Sequence, residues 1–224
     1  MVNLNSVKPA NLWYIVGFIA TDGNLSKDER HINITSKDRC ILISIRKALG
    51  ITQKKIGRKS RSNETAKKYS VLQFSDVNFY GFLESIGLTR RKSLTLSPLK
   101  IPQEYFIDFL RGVIDGDGNI QKTIHTSNRN IQWTLRIVSG SPYFLPWISD
   151  NIERIFKLTG KSYVREGEGI NPLYILKYGK FAGKIILRCC YYKDCLTMPR
   201  KLKNAQKCIQ SKNGLSKYGV FSAS

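Results

Sequence analysis

Hydrophobic and polar positions along the chain change period several times, and the changes come in the same order twice. An apolar run over Ile15–Thr21 stops at Asp22-Gly23, which predicts a buried helix with an abrupt end. The segment His31-Ile32-Asn33-Ile34-Thr35 then alternates strictly, the mark of a strand with one covered face. Helical spacing returns from Asp38 to Leu49, followed by strand candidates Lys54–Lys59 and Tyr69–Ser75 and a third helix over Val77–Ile86. The second half runs through the same order. A helix ends at Asp117-Gly118, Gln132–Ile137 alternates, and Ser141–Phe156 reads as a helix. Ser162–Arg165 and Leu173–Tyr178 are strand candidates, and Lys180–Tyr191 closes the half as a helix. Extra residues of the second half fall around Lys122–Asn130.

The expected architecture is α+β, with two halves related by a pseudo-twofold axis and each built as helix, hairpin, helix, hairpin, helix. Its expected bounds are 1–88 for the first half, 89–102 for a linker, 103–198 for the second half and 199–224 for a basic C-terminal helix and tail.

The repeat is sharpest in two nonapeptides. Ile15-Val16-Gly17-Phe18-Ile19-Ala20-Thr21-Asp22-Gly23 and Leu110-Arg111-Gly112-Val113-Ile114-Asp115-Gly116-Asp117-Gly118 share one template. Gly17 and Gly112 stand inside the predicted helices, where glycine costs about 1 kcal/mol relative to alanine. Close packing of another backbone explains them, and two motif helices packed on each other are the simplest source. Gly23 and Gly118 suit a left-handed helix stop. Asp22 and Asp117 occupy the last turn, where the helix dipole disfavours an anion. Paired helices would also bring the two like charges together. A divalent cation relieves both difficulties, and hard carboxylate oxygens are what Mg²⁺ prefers, with Mn²⁺ or Ca²⁺ fitting the same ligands. Metal-bound water is a nucleophile for phosphodiester hydrolysis. One Asp-Gly alone would read as a turn; two copies of the same template point to chemistry.

Charge then names the partner. The chain has 37 Lys and Arg against 16 Asp and Glu, a formal charge of +21 and a pI near 9.9. Such an excess favours a polyanion through steering and counterion release, and nucleic acid is the first candidate. With 42% hydrophobic and 11% aromatic residues the chain can bury a core. No apolar stretch approaches the roughly 18 residues of a bilayer span, so no membrane partner is expected. The five cysteines match no zinc spacing and read as reduced thiols. No targeting peptide is evident, and an intracellular setting is expected, in a bacterial or archaeal cytoplasm or an organelle.

The alternating strands put Asn, Gln, Thr, Ser and Arg on one face, residue types that read base edges in a major groove. Candidate DNA-binding residues are Asn24, Ser26, Asn33, Arg58, Arg61, Gln73 and Ser75 in the first half. Their counterparts in the second are Gln121, Gln132, Thr134, Arg136, Arg165 and Lys177. The basic hairpin Lys54–Lys68 suits phosphate contacts; Pro199–Lys212 suits either phosphate contacts or a soluble tail. His31 and His125 read as polar strand residues, not general bases.

The two nonapeptides resemble the signature of the LAGLIDADG homing endonucleases, the second closely and the first more loosely, since Ala20 replaces the first Asp of the motif. The resemblance runs from about Asn11 to Tyr192. It implies an αββαββα fold in each half, a saddle of two four-stranded antiparallel sheets, and motif helices at the interface. Asp22 and Asp117 would be the metal ligands, with the backbone carbonyls of Thr21 and Gly116 as secondary ones. The implied activity is metal-dependent, site-specific cleavage of both strands of duplex DNA, leaving 3′ overhangs, by a monomer, typically intron-encoded. The family also implies a basic residue near the metals: Lys37 in the first half and, because its counterpart is Gly140, Arg136 or Lys184 in the second. A second reading is an RNA-binding maturase acting on intron RNA. A third, a DNA-binding regulator, predicts an appended helix-turn-helix domain, for which no segment of this chain is long enough.

Overall fold

A computed structural model describes residues 1–60, 66, 68–90, 92–126, 129–167 and 170–211. The first half comprises α1 (Pro9–Asp22), β1 (Gly23–Leu25), β2 (His31–Ser36), α2 (Arg39–Ala48), β3 (Ile56–Lys59), β4 (Tyr69–Ser75) and α3 (Val77–Ser85). The second comprises α4 (Phe106–Asp117), β5 (Gly118–Ile124), β6 (Ile131–Ser139), α5 (Phe144–Phe156), β7 (Lys161–Gly167), β8 (Ile170–Tyr178) and α6 (Lys180–Cys190), and α7 (Pro199–Gln210) follows. The two sheets are antiparallel, four-stranded and equivalent, with strand orders β1-β2-β4-β3 and β5-β6-β8-β7.

Each sheet follows from its alternation. In β2 the residues Ile32, Ile34 and Ser36 are buried while His31, Asn33 and Thr35 are not. One face therefore takes the helices, and the polar face stays open. Helix α2 turns Ile41, Leu42 and Ile45 inward, and α5 turns Phe144, Leu145, Ile148 and Ile152 inward. Each such side chain contributes roughly 1.5–3 kcal/mol on burial. On α5, Trp147 meets Phe106 and Phe109 edge-on at ring distances of 5.9 and 5.7 Å.

The two motif helices differ from these amphipathic ones. Trp13–Ala20 of α1 is buried all round, as is Phe106–Asp115 of α4 apart from Ile107, because each lies between a sheet and the other helix. The glycine expectation holds quantitatively. A Cβ on Gly17 would lie 2.1 Å from the Phe109 carbonyl oxygen, and one on Gly112 would lie 2.1 Å from that of Tyr14. The expected left-handed stop does not occur. Gly23 and Gly118 have φ/ψ of −98/163° and −79/154°, so the chain passes directly from helix into an extended strand. Glycine is needed there for space: a Cβ would come within 2.6 and 2.5 Å of the Ile19 and Ile114 carbonyl oxygens.

Residues 89–102, expected as a plain linker, carry Lys92 into the interior, where it is 7% exposed. Helix α7 is equally integral: Lys201, Ala205 and Cys208 are buried, and it packs on α6 and β5. That packing removes the soluble-tail alternative for residues 199–211; residues 212–224 lie outside those described. No helix among the described residues is long and apolar enough to cross a membrane.

Candidate active site and nucleic-acid face

Because the close helix crossing runs through Gly17 and Gly112, the C-terminal turns of α1 and α4 end side by side. Thr21 touches the position where Gly116 lacks a side chain, and its hydroxyl donates back to the Phe18 carbonyl at 3.0 Å. Asp22 and Asp117 therefore share one electrostatic environment, and both act on the same two lysines, Lys92 and Lys201.

Neither lysine was a sequence candidate for this site, yet each interacts with both carboxylates. The ammonium of Lys92 donates to the Gly23 carbonyl and that of Lys201 to the Gly118 carbonyl, so each binds just beyond one motif helix. Both cations also complement the negative end of a helix dipole. Burial lowers the pKa of Lys92 to about 8, against the pull of Asp117 and Asp22. Burial likewise lowers Lys201, with Arg200 adding repulsion, and burial raises Asp117 against the pull of both lysines. The common cause is desolvation, which disfavours the charged forms of Lys92, Lys201 and Asp117. A sequence signal was available: an Arg-Lys pair follows the third helix of each half, Arg91-Lys92 and Arg200-Lys201.

A cavity of about 600 Å³ opens on the Asp22 side, lined among others by Lys37, Asp38, Lys59, Gly116 and Arg200. Lys37, expected as the basic residue of the first half near the metals, lines this cavity together with Asp22, and its ammonium lies 5.4 Å from the centre of the Tyr69 ring. Arg200 pairs with Asp38 at 3.0 Å across the wall. On the Asp117 side the space is about 110 Å³, lined by Thr21, Lys92, Ser93, Ser139 and Gly140 among others. A Cβ on Gly140 would meet the Ser93 carbonyl oxygen at 2.7 Å, so no side chain fits where Lys37 has its counterpart. Lys184, expected at this site, is instead bound to the Ser211 carbonyl between α6 and α7. Arg136 lies on the sheet face beside Asn119 and Lys177.

The oxygen donors expected for a cation are the two carboxylates and the backbone carbonyls of Thr21 and Gly116, one residue before each Asp. No cluster of three or more His, Cys, Asp or Glu occurs among the described residues. Few hard oxygen ligands in a desolvated pocket fit a cation that keeps several waters, as Mg²⁺ does.

Ladder partners share a face, so register decides which candidates reach the open one. Asn24 pairs with Asn33, Asn33 with Gln73, and His31 with Ser75, while Ser26 receives the Asn33 amide at 3.4 Å. Gln121 pairs with Thr134 and Gln132 with Thr123. Arg136 pairs with Lys177 and Arg165 with Leu173, all on the corresponding face. Thr134 Oγ1 and Arg136 Nε are buried there without a hydrogen-bond partner. Arg58 differs from these in register: it pairs with buried Ser70, on the covered side of β4, while remaining exposed on the edge strand β3. Lys59, opposite Tyr69, takes the open side and the wall of the larger cavity. Arg61 lies outside the described residues.

Comparison with known proteins agrees with this architecture. Residues 9–87 match the LAGLIDADG-like domain. No curated protein sequence matches the chain. Among solved structures, the homing endonuclease I-WcaI bound to its DNA recognition sequence superposes with a TM-score of 0.60 at 10% identity, over 89% of this chain and 87% of that one. Mesophilic variants of the homing endonuclease I-DmoI give 0.55 at 14% identity, over 88% and 97%. Full-length DUF199/WhiA from Thermatoga maritima gives 0.55 at 12%, over 92% of this chain but only 63% of its own length. Residues 9–87 thus match the LAGLIDADG-like domain, and the second half repeats the fold of the first around a second Asp-Gly helix.

Proposed function

We propose that the chain is a site-specific, metal-dependent endonuclease that cuts both strands of duplex DNA and leaves 3′ overhangs. One observation carries the reading: two carboxylates meet at the feet of paired helices, in a desolvated site with two buried lysines, between two open polar sheet faces. The endonucleases that share this fold, one of them bound to its DNA recognition sequence, support the substrate class.

Asp22 and Asp117 would hold Mg²⁺, aided by the carbonyls of Thr21 and Gly116. When bound, the ion supplies an acidified water and neutralises charge on the phosphate. The chain supplies the rest. Arg136, Lys177 and Lys59 attract and seat the backbone, and the Asn, Gln, Ser and Thr row of each sheet reads base edges. Lys92 and Lys201 offer fixed positive charge beside the carboxylates, where charge develops as the phosphodiester is attacked. Lys37 and Arg200 add cations on the Asp22 side only.

The test is cleavage of a plasmid carrying the uninterrupted candidate insertion site, with Mg²⁺ and with EDTA. Cutting at one place that requires the metal, and that Asp22→Asn or Asp117→Asn abolishes while binding persists, is the expected result. Undiminished cutting by either variant removes these carboxylates from the reaction. A second reading, nucleic-acid binding without cleavage, is favoured by the two lysines, which already balance the two carboxylates. Tight binding with no cutting under any metal would establish it, and intron RNA would be the next substrate.

A further inference from the structure

The most elaborate polar cluster outside the carboxylate pair surrounds Asp115, the motif residue that the proposed chemistry leaves unused. Asp115 is 1% exposed. Its Oδ2 accepts from the Tyr14 hydroxyl at 2.7 Å, the Thr197 hydroxyl at 3.1 Å and the Met198 amide at 2.6 Å, and its Oδ1 accepts from the Tyr191 hydroxyl at 2.6 Å. One turn earlier on α4, Arg111 is fully buried. It donates to the Leu196 carbonyl and the Cys190 carbonyl, both at 2.9 Å, and pairs with Asp108 at 2.8 Å. Together the two side chains grip both ends of the irregular segment 191–198.

We propose that Asp115 and Arg111 are positioning residues that strap segment 191–198 onto the motif helices and so deliver Lys201 to the carboxylate site. The connection is short. Met198, held by Asp115, caps α7 and accepts from the Lys201 amide at 2.9 Å, so fixing Met198 fixes the first turn that carries Lys201. From there the Lys201 ammonium reaches Gly118. A carboxylate with four donors is replaceable by nothing neutral of its size: an amide presents one acceptor and turns an NH₂ toward donors. The device is one-sided, since Ala20 stands at the matching place in α1. The catalytic consequence rests on the endonuclease reading; the strap itself does not.

Hydrogen exchange on the whole protein tests the strap without any DNA. In Asp115→Asn, peptides from residues 199–211 are expected to exchange about ten-fold faster or more, while those of β2 and β4 keep their protection. Tyr191→Phe, which removes one donor and leaves the carboxylate, should give a smaller change at the same place. Unchanged protection of α7 in both variants overturns the proposal, as does uniform loss over both halves in Tyr191→Phe. On cognate DNA, Asp115→Asn and Lys201→Met should lower Mg²⁺-dependent cutting by similar factors, and the double variant should be no worse than either. Full multiplication of the two losses would show that Asp115 acts otherwise than through Lys201. Should the wild type prove unable to cut, the exchange measurement still decides.

Discussion

The two halves bring a lysine to the same place by different means. In the first half Lys92 arrives on a tight turn, with the Thr95 and Leu96 amides donating to its carbonyl at 3.1 and 2.8 Å. That turn is held by the second half: the fully buried Ser141 hydroxyl donates to the Leu96 carbonyl at 2.6 Å, and Gly140 leaves room for Ser93. Lys201 arrives on a helix held by a buried carboxylate and a buried guanidinium. The first device uses neutral groups, worth about 0.5–1.5 kcal/mol per hydrogen bond. The second uses charges, and breaking such a set typically costs about 3–5 kcal/mol. Duplication of a fold therefore preserves where a charge must sit more faithfully than how it is held.

What the halves share is the helix crossing, and it should fail first. Gly17→Ala and Gly112→Ala each drive a methyl group to 2.1 Å from a carbonyl oxygen that belongs to a rigid helix. Each should destabilise the protein by about 3 kcal/mol or more, read by denaturant unfolding, and the two losses should be nearly equal. A marked inequality would mean that the interface is not the symmetric element of the molecule. Next in size, Lys92→Met and Lys201→Met should each slow cutting by about 10²-fold while affecting DNA affinity much less. Each lysine binds beside a different motif helix, so the two variants should favour opposite strands when nicked intermediates are mapped. Identical strand preference would break the pairing of one lysine with one half.

How far these features could be read from the sequence follows the range of the interactions. Alternation in His31–Thr35 and Gln132–Ile137 is local, and it located the strands and the covered face, just as the apolar runs stopped by Asp-Gly located both motif helices. The interior glycines even announced a close crossing. Register over β3 was not local: where Ile56 pairs with Leu72 decides that Arg58 falls on the covered side of the sheet and Lys59 on the open side. The lysines were hidden for a related reason. A charged residue in a basic stretch reads as solvated surface, and only tertiary packing shows that Lys92 and Lys201 are 7% and 6% exposed. Asp115 was masked by its neighbour, since a motif with two acids invites a single role.

Ser141→Ala tests the weaker of the two devices and should cost about 1 kcal/mol, well below Asp115→Asn, because it leaves a carbonyl that a turn can resolvate. The finest difference lies in pH. Burial holds the Lys92 pKa near 8, below its unfolded value, so the folded protein releases that proton first as pH rises. The penalty for carrying the charge is fully present below pH 8 and is relieved between there and the unfolded value. Wild-type stability should consequently gain on Lys92→Met by about 1 kcal/mol per pH unit above pH 8, measured without metal. The difference between the two proteins is the quantity to follow, because buried Cys190, Tyr14 and Tyr191 have raised pKa values and pull both curves downward over the same interval. A flat difference would mean that Lys92 is solvated in solution, and the neutral turn would then hold its lysine less firmly than Asp115 holds Lys201.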